Sequence, residues 1–314
     1  MLEIENLRKK YGNTEVLKGI SFTAEKGEIL GLLGPNGTGK STTMNIITGF
    51  ISDFEGSVRL NGTEIVKQPA AFKKNIGYLP ELNPLPLNMT VYEFMDFAAD
   101  LKSVSKKTRK EHIEQILEST GLLHVRKRLL RNLSKGYKQR TGIAQALVGD
   151  PELIILDEPT VGLDPKQIAD IRTLVRSLAA DHTVIFSSHI LSEVNAICDN
   201  VVIMYKGRVL THAAPNELVK EFDQHGGMIL CTEDENNRSE QILKQADFVR
   251  EYSIVETSGN NRKYYIKLDD NDFSKKIFFA FADQHIPITQ LTPDQFTLED
   301  AFLQYLATAE QEEI

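Results

Sequence analysis

The chain has 314 residues, 41% of them hydrophobic and 25% charged, the balance of a soluble globular protein with room for two cored domains. Its apolar runs, such as LIIL at 153–156 and IFFAFA at 277–282, fall far short of the ~20 residues that span a bilayer, and the start MLEIENLRKKYG carries no basic-then-apolar leader. Only Cys198 and Cys231 are present, with no C-x-x-C spacing, which argues against disulfides or a cysteine metal site and makes the cytoplasm the expected compartment.

In chain order, the first 65 residues predict short strands at LEIENLRKK and VLKGISFTAEKG, an apolar strand EILGLL, and a helix from Gly39. Residues 84–150 read as helical. TVYEFMDFAADL sets Val91, Phe94, Met95, Phe97 and Ala98 on one stripe, and EHIEQILESTGL repeats the period. The run KSVSKKTRK at 102–110 between them reads as a solvated loop. Next comes an α/β alternation: strand LIIL, helix KQIADIRTLVRSLAA, strand TVIFSS, helix ILSEVNAIC, strand NVVIMY. A parallel sheet flanked by helices, with a helical insertion at about 84–150, is the economical reading.

The character changes near Pro215. Beyond HGG at 225–227 the order is strand MILCT, helix SEQILKQA, strand FVREYSIVETS, strand KYYIKL, helix FSKKIFFAFADQH, strand IPITQL and a last helix TLEDAFLQYLA. SGNN at 258–261 joins two of the strands as a hairpin. This βαββαβ order is the ferredoxin-like pattern with a helix added. The net charge of −8 is also unevenly spread: residues 221–314 carry 19 acids and 8 bases, a balance of −11, against +3 for residues 1–220. Two domains are expected, 1–220 and an acidic 221–314, and the acidic part argues against nucleic-acid binding.

Three motifs carry chemistry. Gly34, Pro35, Asn36, Gly37, Thr38, Gly39, Lys40, Ser41 and Thr42 spell GPNGTGKST between the strand EILGLL and a helix, the strand–loop–helix context of a phosphate-binding P-loop. Its glycines let successive N–H groups face a phosphate, Lys40 adds a positive charge, and Ser41 can ligate Mg²⁺. LIILDEP at 153–159 ends a buried strand in two adjacent acids, costly unless a cation or a reacting water meets them. Asp157 suits a water-mediated hold on Mg²⁺. Glu158, expected to point the other way along the strand, suits a base that orients the attacking water. LSKGYKQR at 133–140 opens a helix at Ser134, Lys135 and Gly136, with seven basic residues and no acid over 126–140. Such a helix start is built for an anion, although Ser134 is also an ordinary N-cap.

The order of KKYG, GPNGTGKST, IGYLPE, LSKGYKQR, LIILDEPTVGLDP and SSHI resembles the ATP-binding subunit of an ABC transporter over about residues 1–220, and YLPE with NPL, MTV and LSKGY looks most like the bacterial ABC-2-type export group. The resemblance implies an ABC-type cassette: parallel sheet core, antiparallel β subdomain and helical subdomain. It also implies two such cassettes, identical or closely related, meeting head to tail around two ATP. The Ser134, Lys135, Gly136 and Tyr137 signature of each would then cap the nucleotide on the other. Tyr11 matches the adenine-stacking aromatic, His189 the switch histidine and Asp164 the D-loop aspartate. Tyr11 also reads as a turn residue, His189 as a strand-end residue and Asp164 as an N-cap.

Two motifs depart from the family pattern. Glu81 stands where the family commonly has Gln, able to ligate Mg²⁺ with Ser41 and Asp157 but bringing negative charge. Lys135 and Tyr137 replace the third and fifth residues of Leu-Ser-Gly-Gly-Gln, and Lys135 is expected to offset Glu81 in the closed dimer.

The expectation is an ATPase using ATP and Mg²⁺, with Glu158, His189 and Lys40 catalytic, peripheral on the inner face of the cell membrane through a separate permease docked on the helical insertion. The rivals are a soluble ABC-type ATPase of translation or DNA repair and a nucleotide-gated binding module without hydrolysis.

Overall fold

The computed structural model describes residues 1–222, 227–234, 237–268, 274–294 and 296–311. His225 and Gly226 of the expected HGG seam lie outside them. Two compact units are present: Met1–Pro215 with the end of the last helix from Tyr305, and Asn216–Gln304.

The first unit opens with β1 (Leu2–Tyr11), β2 (Thr14–Ala24), β3 (Ile29–Leu33) and helix α1 (Lys40–Ile47). β4 (Glu55–Leu60), β5 (Thr63–Glu64), α2 (Pro69–Lys74) and β6 (Ile76–Leu79) follow. Helices α3 (Val91–Leu101), α4 (Arg109–Ser119) and α5 (Lys135–Ala146) form the helical insertion, with 3₁₀ turns at Leu123–Val125 and Leu130–Asn132. β7 (Leu153–Asp157), α6 (Pro165–Leu178), β8 (Thr183–Ser187), α7 (Leu191–Ile197), β9 (Asn200–Tyr205) and β10 (Arg208–Ala213) complete the α/β part.

The central sheet runs β10-β9-β3-β8-β7-β6. It is parallel throughout except where β10 pairs antiparallel to β9. Every residue of β3, β7 and β8 is buried, as expected for parallel strands covered on both faces. Leu30, Leu32, Met44, Ile46, Leu153, Ile155 and Ile185 share one core with Ile4, Leu7, Val58 and Leu60 of an antiparallel sheet ordered β2-β1-β4-β5. Each such side chain contributes about 1.5–3 kcal/mol by leaving water.

Strands β4, β5, β6 and β10 were not anticipated. β6 is the four residues IGYL and β5 only two, too short to show a period. Gly77 of β6 is forced by packing: a Cβ there would stand 1.9 Å from the Ala146 carbonyl of α5.

The run at 102–110 also differs from a solvated loop at its ends. Lys102 Nζ donates to the carbonyls of Ile76 at 2.6 Å and Lys73 at 3.1 Å, capping the end of α2, and burial lowers its pKa. Arg109 donates to Asp100 Oδ1 at 2.8 Å and to the Val104 carbonyl.

The second unit contains most of α8 (Pro215–Phe222), then β11 (Gly227–Glu233), α9 (Arg238–Gln245), β12 (Val249–Ser258), β13 (Asn261–Leu268), α10 (Ser274–Asp283), β14 (Ile288–Asp294) and the start of α11 (Leu298–Gln311). Its antiparallel sheet is ordered β12-β13-β11-β14 over a core of Leu230, Leu243, Tyr264, Ile266, Ile277 and Phe281. Beside the expected domain of 221–314, this unit stops at Gln304 because α11 ends among residues of the first unit. The Tyr205 hydroxyl donates to Glu310 Oε1 at 2.9 Å.

Candidate active site

The loop Gly34–Gly39 leaves the end of β3 and enters α1. Gly34 has φ +150° and Gly39 φ +104°. A Cβ at Gly34 would lie 2.3 Å from the Met204 carbonyl, and one at Gly39 2.5 Å from Leu17, so only glycine fits either place. Thr38 Oγ1 donates to the Pro35 carbonyl at 3.0 Å and Thr43 Oγ1 to Gly39 at 2.9 Å. Lys40 Nζ folds back over the loop onto the carbonyls of Gly34 and, at 3.1 Å, Pro35. Burial lowers its pKa, against the pull of Glu158 and Asp157.

The loop walls a cavity of about 420 Å³. Asn36, Gly37, Gly39, Lys40, Ser41 and Thr42 line it, and so do Glu81, Asp157, Glu158 and His189 from elsewhere in the chain. Gly34, Pro35 and Thr38 support the loop from behind, through the bonds just described.

Asp157 is the last residue of β7 and is buried. Glu158 lies past the strand at φ +49°, a left-handed conformation uncommon outside glycine. That turn corrects the strand-based expectation: the two acids do not diverge but line one cavity. Ser187 Oγ donates to Asp157 Oδ1 at 2.7 Å and accepts from the Glu158 N–H at 3.1 Å. His189 Nδ1 is 2.8 Å from Glu158 Oε2.

Burial raises the pKa of both acids. The Ser187 hydrogen bond opposes this at Asp157, and the His189 hydrogen bond and charge oppose it at Glu158. Burial, with the charges of Asp157 and Glu81, pushes the Tyr78 phenol up to about 12, which places Glu81 electrically beside Asp157.

Ser134 caps α5, its hydroxyl accepting from the Tyr137 N–H at 3.5 Å. It is exposed, as is Lys135, whereas Gly136 is buried. A Cβ at Gly136 would meet Gln167 at 2.9 Å, and one at Gly162 would fall 2.0 Å from Lys135 Nζ. The Tyr137 hydroxyl lies 3.1 Å from His124 Nε2.

The seven basic residues over 126–140 are not all displayed for an anion. Arg126 donates to the Leu123 carbonyl, and Arg140 to Asp170 Oδ2 at 2.9 Å and the Thr120 carbonyl. Lys135 and Glu81 line one cleft of about 470 Å³ within the chain, together with Lys138, Glu158 and the apolar Leu82, Pro84, Leu85 and Leu87.

Tyr11 is 49% exposed at the end of β1, with Lys9 Nζ 5.1 Å from its ring centroid. It does not line the P-loop cavity, whereas Val16 does. Asp164 caps α6, Oδ1 accepting from the Gln167 N–H at 2.8 Å.

The family model described as ABC transporter matches residues 17–161. Over nearly its whole length the chain aligns with the bacitracin transport ATP-binding protein BcrA of Bacillus licheniformis, 32% identical across 98% of this chain and 97% of that one. The chain belongs to the ATP-binding proteins of ABC transporters.

This ABC ATPase is also 38% identical to the lantibiotic transport ATP-binding protein SrtF of Streptococcus pyogenes, over 71% of this chain and 92% of that one. The solved dimeric structure of MJ0796, a bacterial ABC transporter cassette, superposes with a TM-score of 0.61 at 25% identity, covering 68% of this chain and 98% of that one. The chain therefore binds ATP and hydrolyses it, as its family does. Among the described residues no helix is long and apolar enough to cross a membrane.

Sequence reasoning missed Ser187, the hydroxyl that joins the two acids, and Thr160 and Glu193 behind them. The adjacent serines of TVIFSS at the end of an apolar strand were the available signal for Ser187.

Proposed function

We propose that this ABC ATPase works as one of a pair of cassettes, identical or closely related, that close over two ATP and drive a separate membrane permease in export. Lys40 and the P-loop N–H groups hold the β- and γ-phosphates of ATP. Ser41, Asp157 and Glu81 offer one hydroxyl and two carboxylates in the same cavity, a hard-oxygen set suited to Mg²⁺. Among the described residues no group of three or more His, Cys, Asp or Glu side chains could hold a metal, so nucleotide oxygens and water would complete the shell. The ion would neutralise charge developing on the phosphate.

Glu158, its pKa raised by burial, orients the attacking water and receives its proton, while His189 fixes the Glu158 carboxylate and faces the γ-phosphate. Ser134 and Gly136 of each chain cap the nucleotide on the other, Tyr11 stacks on adenine, and Asp164 lies at the shared interface while still capping α6. Permease docking on the helical insertion keeps the protein peripheral on the inner face of the membrane.

One observation carries the paired reading: the exposed, Ser134-capped start of α5, a helix terminus whose N–H groups and dipole suit an anion. Export follows the relatives named for bacitracin and lantibiotic transport.

The test is the size of Glu158→Gln with saturating ATP and Mg²⁺, by light scattering. A dimer that reverts to monomer on adding Ser134→Arg is expected. A strict monomer, alone and with its co-purified permease, overturns the reading.

A further inference from the structure

Glu193, on α7, carries a carboxylate that the chemistry above does not use. The residue is fully buried. Its Oε2 accepts from the Thr160 hydroxyl at 2.6 Å and from the Ser188 hydroxyl at 3.1 Å, and its Oε1 has no hydrogen-bond partner. Thr160 and Ser188 are buried too. A buried carboxylate with one oxygen unpaired costs stability that an apolar side chain of similar volume would not, although that side chain would leave the Thr160 and Ser188 hydroxyls without their acceptor.

Its two partners belong to different loops of the active site. Thr160 is two residues beyond Glu158 and holds the turn toward Asp164, its carbonyl accepting from the Leu163 N–H at 3.2 Å. The same turn is closed at its start by the Val161 N–H donating to the Glu158 carbonyl at 3.3 Å. Ser188 immediately precedes His189, and its hydroxyl accepts from the Ile190 N–H at 3.0 Å. One carboxylate oxygen therefore ties the loop bearing Glu158 to the loop bearing His189. On the far side of those loops the Glu158 and His189 side chains meet at 2.8 Å.

We propose that Glu193 is a positioning residue: by clamping Thr160 to Ser188 it holds Glu158 and His189 in register for hydrolysis. This rests on the reading of Glu158 and His189 as the hydrolytic pair. Misplacing a reacting group by about 1 Å, or removing a residue that orients one, costs on the order of 10–100-fold in rate.

The experiment compares Glu193→Leu, Glu193→Gln, Thr160→Val and Ser188→Ala in the full-length protein. It measures kcat, KM for ATP and the thermal midpoint of each, and repeats Glu193→Leu in a His189→Ala background. Gln keeps an oxygen able to accept both hydroxyls, whereas Leu keeps none. Val keeps the branched shape of Thr160 without its donor.

Glu193→Leu and Thr160→Val should lower kcat about 10–100-fold with KM within about threefold. The thermal midpoint should fall in Thr160→Val, which leaves the buried carboxylate short of a donor. It should change little in Glu193→Leu, where loss of the buried carboxylate offsets the two hydroxyls left without an acceptor. Glu193→Gln should restore kcat to within about threefold of wild type. In the His189→Ala background the Leu substitution should cost less than about twofold more, since the pair it holds in register is already broken.

An unchanged kcat in both Glu193→Leu and Thr160→Val overturns the proposal. So does a Gln variant as slow as Leu, a kcat loss that vanishes when each variant is assayed well below its own midpoint, or full multiplicative loss on His189→Ala. Thr160→Val decides the matter if Glu193→Leu does not fold. Wild-type hydrolysis by His189→Ala and Glu158→Gln would instead refute the hydrolytic pair, a separate result.

Discussion

His189 Nδ1 lies 2.8 Å from Glu158 Oε2, with the histidine side chain 62% exposed and the glutamate 14%. The water-facing ring thus holds a largely buried carboxylate, and the two should fail together.

Replacing either residue, as His189→Ala or Glu158→Gln, should cut the ATPase kcat by about 10²–10³ and leave ATP affinity within a few-fold. Glu158 must be ionised to receive a proton, and burial raises its pKa. Hydrolysis should therefore fall on acidification at a pH above the ordinary carboxylate range. His189 lowers that pKa, so His189→Ala should move the acid limb to still higher pH. Its residual kcat measured across pH checks the sign.

Asp157→Asn should separate stability from activity. Burial raises the Asp157 pKa, so its charged form disfavours the nucleotide-free fold. The stability this group contributes is full below the ordinary carboxylate pKa and is lost as pH rises through the raised value. The variant should melt higher than wild type at neutral pH, with the gap closing in acid, while hydrolysis falls by about 10² or more. Scanning calorimetry at several pH values and an ATPase assay check both halves.

Lys135→Met and Glu81→Gln should couple within one chain, because both residues line the cleft beside Glu158. Lys135 is exposed, so solvent screening keeps the coupling small, about 0.5–1 kcal/mol in ATPase ΔΔG‡. A double-mutant cycle measures it, and simple additivity would mean that the charges do not compensate.

Gly77→Ala should destabilise the first unit by about 1–3 kcal/mol through overpacking, since its Cβ would strike the Ala146 carbonyl. Gly62→Ala, with open space at its Cβ but φ +78°, should cost about 1 kcal/mol. Urea unfolding of the two variants should rank them in that order.

The buried strands of the first unit were legible because parallel strands covered on both sides read as unbroken apolar runs, LIIL and EILGLL foremost. The edge strands were not, since IGYL and RVLTHA are too short or too mixed to show a period. The P-loop announced itself because glycine spacing is imposed by backbone geometry. The direction of Glu158 did not, because it follows from a single left-handed residue past the strand. Glu193 escaped for a different reason: a lone acid on an amphipathic helix looks solvated until the fold brings Thr160 and Ser188 to it from positions 33 and 5 residues earlier.

The close approach of Lys135 to Gly162 has a practical consequence for genetics. Any side chain introduced at position 162 displaces the lysine head and also strains a backbone held at φ +68°; because the head is flexible, the collision itself leaves the fold standing. A screen that recovers loss-of-function alleles there would attribute them wholly to the segment leading to Asp164, although part of the injury is delivered at the start of another helix, through a displaced ammonium.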